Sequence, residues 1–317
     1  MSPNVRGALL ALIAFGIFST SDVIVKTLGA YYAPVQLVFF STLLGFPLAT
    51  MMLMRDPTPG TLKPANPWWI AARVVATVFT GLCGFYAFSA LPLAQTYAII
   101  FASPLLITVL SIPILGEKVR MRRWAAVIVG LIGVAVVLRP GSAELGLGHL
   151  AALGAATGNA VASIIARKIG TQERTVVMAI YPLMGNFLFM GAGLAFFYEP
   201  MAGAHFGLVA LMSTMGFIAS VLVVMAYSTG EATVVAPMQY SQIIWATFYG
   251  YIFFSETIDF YTALGAAIII ASGLYIVFRE SRASENTPVL RSRSRPSLAL
   301  FRVGAWVRLE RSRQQAK

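Results

Sequence analysis

The sequence predicts an all-α integral membrane protein with ten transmembrane helices in two inverted five-helix repeats. Three observations lead to this fold class. Hydrophobic residues make up 58% of the 317 residues and charged residues only 11%, whereas soluble globular domains carry about 25% charged residues. Ten apolar runs are long enough to cross a bilayer, and the two halves of the chain show related patterns.

The ten runs are interpreted as helices because a helix of about 20 apolar residues crosses the hydrocarbon core and pairs its own backbone groups in lipid. They cover residues 7–28, 33–54, 68–89, 95–115, 122–138, 147–166, 176–197, 206–227, 234–254 and 261–278. Turn-forming segments such as Asp56–Gly60 and Arg139–Gly141 separate them. The first run follows Arg6, as a signal peptide would, but no small-residue cleavage site follows it and nine further runs do. We therefore interpret it as the first span.

Basic residues predict the orientation, because lysine and arginine concentrate in cytoplasmic loops. With a cytoplasmic N-terminus, ten crossings place all but two of the 23 basic residues on the cytoplasmic side. The exceptions are Lys26 and Arg139. Both chain termini are therefore predicted to be cytoplasmic.

Related residues recur in the two halves of the chain. At a spacing of 141 residues Lys26 matches Arg167, and at a spacing of 139 residues Glu117 matches Glu256. Five crossings per half is an odd number, so the halves must insert in opposite directions. The loop GEKVRMRR after the fourth span is basic, whereas its counterpart SETIDFYT has no basic residue. We predict one repeat over 1–140, a second over 141–280 and a basic tail over 281–317.

Ten spans in two repeats, each with a Gly/Ser-Glu pair closing the fourth helix, resemble the EamA-type branch of the drug/metabolite transporter superfamily. The resemblance covers residues 5–280 and is carried by Leu115-Gly116-Glu117, Phe254-Ser255-Glu256, Lys26 and the segment Ala94–Pro104. It implies a secondary transporter of a small organic metabolite in the bacterial inner membrane, working by alternating access without a cofactor, a metal or a catalysed reaction. It also implies that the first five and last five helices rock around a cavity lined by the first, third, fourth, sixth, eighth and ninth spans.

The segment Pro34–Phe40 resembles members of this branch associated with riboflavin or S-adenosylmethionine uptake. Those members usually continue with arginine, where this chain has Ser41. Broad-specificity export of drugs or amino acids is the alternative within the transporter class. A membrane-embedded lipid-modifying enzyme is the alternative from another class. Such an enzyme would cluster acidic or histidine residues near one interface, whereas here the acidic residues are scattered singly.

Two charged residues in the first span are candidates for coupling or gating. Asp22 and Lys26 lie one helical turn apart, so they share a face and can pair. Ionisable groups inside membranes are costly and often mark a transport path. A neutralised structural pair near the outer mouth is the alternative. The second half places Ser163 and Arg167 at the equivalent positions, so the two stripes could face one cavity.

Polar and aromatic side chains within the spans are the candidates for solute binding. They are Tyr86, Tyr97, Asn159, Ser163, Gln239, Tyr240, Gln242 and Trp245. Gln239, Gln242 and Trp245 recur every three residues and share one face, next to a proline that loosens the helix. Such a neutral, aromatic surface suits a planar or amphipathic organic solute. The alternative is that these side chains hold helices together by hydrogen bonds.

Glu117 and Glu256 each follow an apolar run and precede a short turn. We predict a structural role at helix ends, in which each carboxylate accepts hydrogen bonds from the free amides of the next helix, as an N-terminal cap does.

Composition limits the remaining partners. One cysteine, Cys83, and two histidines make a metal centre an unexpected feature. Ten basic residues follow position 278, nine of them in the tail, which predicts contact with anionic lipid headgroups. It contains no known nucleic-acid-binding module, so no nucleic-acid partner is predicted. The small residues Gly154 and Gly158 permit close helix contact, and both a monomer and a homodimer remain open.

Overall fold

The computed structural model describes residues 2–53, 61–117, 119, 121–141 and 145–285. Within these ranges all regular secondary structure is helical, which confirms the all-α fold class. The α-helices are α1 (Pro3–Gly29), α2 (Pro34–Leu53), α3 (Pro67–Ala90), α4 (Leu93–Ile100), α5 (Ser103–Leu115), α6 (Met121–Leu138), α7 (Leu147–Ile169), α8 (Thr175–Phe197), α9 (Gly203–Thr229), α10 (Ala232–Val235), α11 (Ser241–Phe254) and α12 (Phe260–Glu285). A 3₁₀ turn, Ala236–Tyr240, joins α10 to α11. The predicted tail lies mostly outside the described residues.

Seven described helical segments are long and apolar enough to cross a membrane. They are Pro3–Gly29, Pro67–Ala90, Leu93–Leu115, Leu147–Ile169, Val176–Phe197, Gly203–Thr229 and Phe260–Phe278. Two shorter apolar helices, Pro34–Leu48 and Arg123–Leu138, lie at the second and fifth predicted spans. The ninth predicted span corresponds to α10, the 3₁₀ turn and α11.

The fourth and ninth spans are broken, whereas the sequence predicted one continuous helix for each. The fourth span turns at Phe101 and Ala102 and resumes as α5, with Pro104 in its first turn. The ninth span breaks at its 3₁₀ turn, which contains Pro237. Proline lacks an amide hydrogen and fits the first turn of a helix, where no partner for that hydrogen is needed. A proline therefore lies in the first turn of the segment that begins at each break, Pro104 in α5 and Pro237 in the 3₁₀ turn.

The two halves share the backbone geometry at the end of the fourth helix. Gly116 and Ser255 adopt left-handed conformations, with φ of 71° and 53°. The next amides fold back onto the helix, Glu117 N to Ser111 O at 3.3 Å and Glu256 N to Gly250 O at 2.9 Å. This is the hydrogen-bond pattern of a helix that ends in a left-handed residue. It directs both glutamates away from the helix axis in the same way.

Helices from opposite halves form the most extensive contacts. α1 packs along α9, and α3 packs along α7. Each pair joins the first helix of one half to the third helix of the other, so the two pairs are equivalent in the repeats. A Cβ added at Gly7 would lie 2.8 Å from Gly230 Cα, and one added at Gly148 would lie 2.9 Å from Leu91 Cγ. These two close approaches occupy equivalent places in the repeats. The structure thus contains the same helix contact twice.

The helix pairs α1–α9 and α3–α7 each join the two sequence halves. We call α1, α2, α9 and α11 bundle A, and α3, α4, α5, α7 and α8 bundle B. The two bundles also pack on each other, through α2 with α8, α1 with α3 and α4 with α11. The helices α6 and α12 pack mainly on each other. The first helix of each half packs on the third helix of the other half. Rocking of the first five helices against the last five stays a prediction.

The two ends of the helical assembly differ in how the bundles meet. At the end that holds Lys26, which we call the Lys26 end, one large apolar cluster joins both bundles and includes Leu28, Leu93 and Val209. At the opposite end, the Arg167 end, the cores of the two bundles are separate clusters. One contains Ala11, Phe15, Ala226 and Val235 from bundle A and its adjoining turn, and the other contains Ile70, Ile164 and Val177 from bundle B. The buried apolar cores of the two bundles are therefore continuous at the Lys26 end and separate at the Arg167 end.

Candidate functional site

A cavity of about 210 Å³ lies between α1, α3, α4 and α7. Its wall is formed by Asp22, Thr80, Gly81, Gly84, Phe85, Phe88, Ile100, Ala155 and Asn159. The residues of α3 recur at intervals of three and four positions, so one face of this helix supplies more than half of the wall. The cavity exists because Gly81, Gly84 and Ala155 have little or no side chain to fill it. The rings of Phe85 and Phe88 make part of its wall apolar.

Among the described residues that form this wall, Asp22 is the one with a carboxyl or basic group. It lies seven residues before the end of α1, which corresponds to a depth of about 10 Å along the helix. Tyr97 on α4 donates a hydrogen bond from its hydroxyl to Asp22 Oδ2. A carboxylate at this depth requires such donors, because lipid and apolar side chains provide none.

The Tyr97 hydroxyl connects three helices. It accepts hydrogen bonds from Ser19 Oγ at 3.4 Å and from Gln242 Nε2 at 3.3 Å, in addition to donating to Asp22. One donated and two accepted bonds use the full capacity of a phenolic hydroxyl. Tyr97 is itself buried, with 4% of its surface exposed. The network therefore fixes the carboxylate of Asp22 from α1, α4 and α11.

The side chain of Asn159 faces the cavity from α7, opposite Asp22. Among the described residues it makes no hydrogen bond to protein, and it is exposed rather than buried. An amide that holds helices together would be bonded to a neighbouring helix. The Asn159 amide is thus available to a solute in the cavity.

Three predicted binding residues come together with Asp22: Tyr97, Asn159 and Gln242. Trp245 lies close by on α11, where it stacks on Tyr249 at 6.1 Å between ring centroids and contacts the face of α1 at Gly16.

The other candidates lie away from the cavity wall. Tyr240 is buried against Phe101 and the backbone at Gly273, and Tyr86 is exposed on α3. Gln239 lies in the 3₁₀ turn, and Ser163 lies one turn beyond Asn159 toward the Arg167 end. Within the described residues, the structure therefore separates these four from the Asp22 site.

The expected pairing of Asp22 with Lys26 is wrong. Lys26 Nζ instead lies 2.7 Å from Glu256 Oε1 and donates to Leu91 O at 2.5 Å. Asp22 is bonded to Tyr97. The i, i+4 spacing allows a pair within α1, but the packing of α11 on α1 brings a second carboxylate to Lys26.

The role predicted for the two glutamates also needs correction. Glu256 Oε2 accepts a hydrogen bond from Leu93 N at 3.0 Å, so it caps α4 of the other half rather than the helix that follows it. Glu117 Oε1 accepts from Arg167 at 2.7 Å. The two glutamates thus form equivalent ion pairs with equivalent basic residues, one at each end of the molecule.

The model of the EamA-like transporter family matches residues 5–139 and again residues 146–278. The chain belongs to the EamA-like transporter family. Members of this family are multi-pass membrane transporters, which favours the transporter interpretation of this EamA-like chain over a membrane-embedded enzyme.

Similar proteins within this group carry different substrates by name. The chain is 26% identical to the S-adenosylmethionine uptake transporter of Rickettsia bellii, over 84% of this chain and 91% of that protein. It is 25% identical to the pseudopaline exporter CntI of Pseudomonas aeruginosa, over 84% and 94%. It is 25% identical to the riboflavin transporter of Rhizobium johnstonii, over 89% and 94%. A solved crystal structure shares the fold with a TM-score of 0.59 at 19% identity, covering 87% of this chain and 98% of that one.

Sequence reasoning missed part of the wall. Thr80, Phe85 and Phe88 were not among the candidates, although they lie on one face of α3 with Gly81 and Gly84. Ser19, which lies one turn before Asp22, was missed as well. A cluster of small and aromatic residues at helical spacing was the available signal, but it is equally typical of ordinary helix packing.

Proposed function

We propose that this EamA-like protein is a secondary transporter that carries a small organic solute with a positively charged group beside a planar, apolar part. The observation that carries the proposal is the fixed carboxylate of Asp22 in a cavity whose wall also holds Phe85 and Phe88. None of the described residues in the wall is basic, so the electrostatic preference of this wall is for a cation. Aromatic rings in such a site add attraction for an organic cation.

The names of the relatives narrow the solute class. S-adenosylmethionine combines a sulfonium cation with a purine base. The carboxylate of Asp22 suits the cation, and the rings of Phe85 and Phe88 suit the base. Riboflavin is planar but carries no positive charge, so it would place no opposite charge beside Asp22. An S-adenosylmethionine-like solute is therefore the better match. Since one relative is named as an exporter, broad-specificity export remains the alternative to uptake.

Alternating access is supported by the contrast between the two ends. The bundles share a core at the Lys26 end and have separate cores at the Arg167 end. The charge pattern predicts that the Arg167 end is cytoplasmic. We infer that the structure represents the state that faces the cytoplasm, and that transport requires bundles A and B to separate at the Lys26 end.

Binding and transport by purified protein test the proposal. Thermal-shift measurements with S-adenosylmethionine and with its thioether analogue S-adenosylhomocysteine compare two solutes that share the ammonium and carboxylate groups and differ in the sulfonium charge. We expect stabilisation by the sulfonium compound at concentrations where the thioether has little effect, followed by uptake into proteoliposomes. Equal binding of both compounds, or preferential binding of riboflavin, would contradict recognition of a cation by Asp22.

A further inference from the structure

The ion pair at the Lys26 end holds more than its own two side chains. Lys26 and Glu256 both belong to bundle A, yet each also bonds to the turn between α3 and α4 of bundle B. Lys26 Nζ donates to Leu91 O at 2.5 Å, and Glu256 Oε2 accepts from Leu93 N at 3.0 Å. The pair therefore grips one backbone carbonyl and one backbone amide of the opposite bundle, which ties the bundles together at this end.

In the part of the chain that the structure describes, the equivalent ion pair at the Arg167 end forms without hydrogen bonds to the backbone of the opposite bundle. Arg167 and Glu117, both in bundle B, lie 2.7 Å apart. Among the described residues neither side chain bonds to bundle A. Their side chains are 53% and 30% exposed, compared with 13% and 18% for Lys26 and Glu256. One pair is therefore enclosed between the bundles and the other faces an open space.

Bundle A contains a backbone turn, at Gly230, to which this second ion pair could form equivalent hydrogen bonds. Its conformation matches that of the turn at Leu91. The repeat spacing of 139 residues places Gly230 at the position of Leu91. Leu91 has φ −117° and ψ 162°, and Gly230 has φ −110° and ψ 163°. Each amide closes its preceding helix with a 2.9 Å bond to a carbonyl four residues earlier, at Ala87 and Ala226. Bundle A thus carries a turn with the backbone geometry of the turn that Lys26 and Glu256 hold.

We propose that these are two copies of one clamp, which close in alternation. In the state seen here, Lys26 and Glu256 hold the α3–α4 turn. In the opposite state they release it, and Arg167 and Glu117 take the α9–α10 turn by donating to Gly230 O and accepting from the amide of residue 232. Both ion pairs persist throughout, so the cycle exchanges backbone hydrogen bonds rather than breaking a salt bridge in the membrane. This inference rests on the alternating access proposed above.

A cysteine in the cavity wall can report which end is open. Gly84→Cys in a Cys83→Ala background suits this purpose, because Gly84 lines the cavity and an added Cβ meets its nearest neighbour at an ordinary 3.9 Å. Right-side-out and inside-out vesicles are treated with a membrane-impermeant maleimide, and the labelling rate is measured from each side. The measurement needs no substrate. If the wild-type protein labels as expected but no solute is transported, the proposed function fails while the clamp can still be judged.

Two variants remove different parts of the clamp. Glu256→Gln keeps an acceptor for Leu93 N but loses the attraction for Lys26, and it should raise labelling from the Lys26 side by about fivefold or more, as a population shift toward the opposite state requires. Glu117→Gln should lower labelling from that side and trap the cavity open toward the Arg167 end. Lys26→Met provides a second test at the first clamp if Glu256→Gln is not monodisperse.

A charge exchange separates a clamp from a simple ion pair. The double variant Lys26→Glu/Glu256→Lys restores opposite charges, but a glutamate cannot donate to Leu91 O and a lysine cannot accept from Leu93 N. The clamp predicts that labelling from the Lys26 side stays high in this variant. A return to the wild-type rate would show that the ion pair alone closes this end and would overturn the proposal.

Asp259→Asn is the matched control. Asp259 pairs with Arg139 at the Lys26 end, but this contact joins the α6–α12 unit and not the two bundles. Asparagine can still cap α12, whose amides at Tyr261 and Thr262 bond to Asp259. We expect unchanged labelling from both sides. A rise equal to that of Glu256→Gln would mean that any lost charge at this end opens the cavity, which would also overturn the clamp.

Discussion

Tyr97 donates its hydroxyl hydrogen to Asp22 across the contact between α4 and α1, and it does so next to a break in its own span. α4 ends at Ile100, three residues after Tyr97, and Ile100 is itself part of the cavity wall. The charged group of the cavity is thus held by a helix that can change direction within one turn. Movement of α4 relative to α5 would alter the position of the donor for Asp22.

Asp22→Asn should lower the affinity for a cationic solute by about tenfold to a hundredfold, since a hydrogen bond to a charged group contributes about 1.5–3 kcal/mol. Affinity for an uncharged analogue should change little. Equilibrium binding of both compounds to purified protein measures the two effects. A parallel loss for both solutes would indicate a structural role for Asp22.

Asp22→Asn also tests coupling to protons. If this carboxylate carries the proton, the variant should lose accumulation driven by a pH gradient but keep exchange of solute between compartments. Proteoliposomes with and without an imposed gradient measure both activities. We expect gradient-independent, facilitated transport in the wild type as well, and clear gradient-driven accumulation by wild-type protein would contradict this expectation.

Asn159→Ala, Gln242→Ala and Gln239→Ala should separate solute contacts from helix contacts. Asn159 has no protein partner among the described residues, so its loss should reduce affinity and leave the melting temperature unchanged. Gln242 bonds to Tyr97, so its loss should cost about 1 kcal/mol of stability as well as affinity. Gln239 lies outside the cavity wall and serves as the control. Thermal denaturation and solute titration on each variant make the comparison, and a destabilised Asn159→Ala with normal affinity would contradict it.

The orientation can be tested by cysteine labelling in intact cells. In a Cys83→Ala background, Ile258→Cys should react readily with an impermeant reagent, because its loop is predicted to be outside. Thr171→Cys should react only after permeabilisation. Both positions are exposed to solvent in the structure, so a difference reports the side of the membrane. The reverse pattern would overturn the orientation inferred from the basic residues.

Gly265→Ala should destabilise the protein by about 1–3 kcal/mol, the usual cost of overpacking. Its added Cβ would lie 2.5 Å from Val137 Cγ2 and 2.6 Å from Gly133 O, where α12 meets α6. Gly216→Ala on α9 is the control, because nothing lies within 4 Å of its Cβ. There alanine should stabilise the helix by up to about 1 kcal/mol. Opposite shifts of the melting temperature are expected, and equal shifts would contradict the close approach of the two helices.

The spans and the fold class could be predicted from the sequence because the thickness of the bilayer sets the length of an apolar run. The excess of basic residues in cytoplasmic loops likewise allowed the orientation to be predicted. It did not predict the partners of Lys26 or Asp22. Spacing shows which residues share a face, but not which helix that face meets. Asp22 and Lys26 are correctly placed on one face of α1, yet that face meets Tyr97 of α4 at one level and Glu256 after α11 at the next. The break at Phe101 was missed because apolar composition continues through it, and at the 3₁₀ turn Pro237 was interpreted as loosening one continuous helix rather than ending it.

The separation in sequence between Lys26 and Glu256 has a consequence for biosynthesis. Lys26 enters the membrane with the first helix, but its partner is translated about 230 residues later, which at about 5–20 residues per second takes roughly ten to fifty seconds. During that interval α1 carries a lysine without its carboxylate, and α9, its main packing partner, is also absent. The nascent first half is therefore an incomplete bundle that must be shielded by the insertion machinery or remain near the bilayer surface. Truncations after the first repeat should be recognised and degraded, even though each of their helices is apolar enough to stay in lipid.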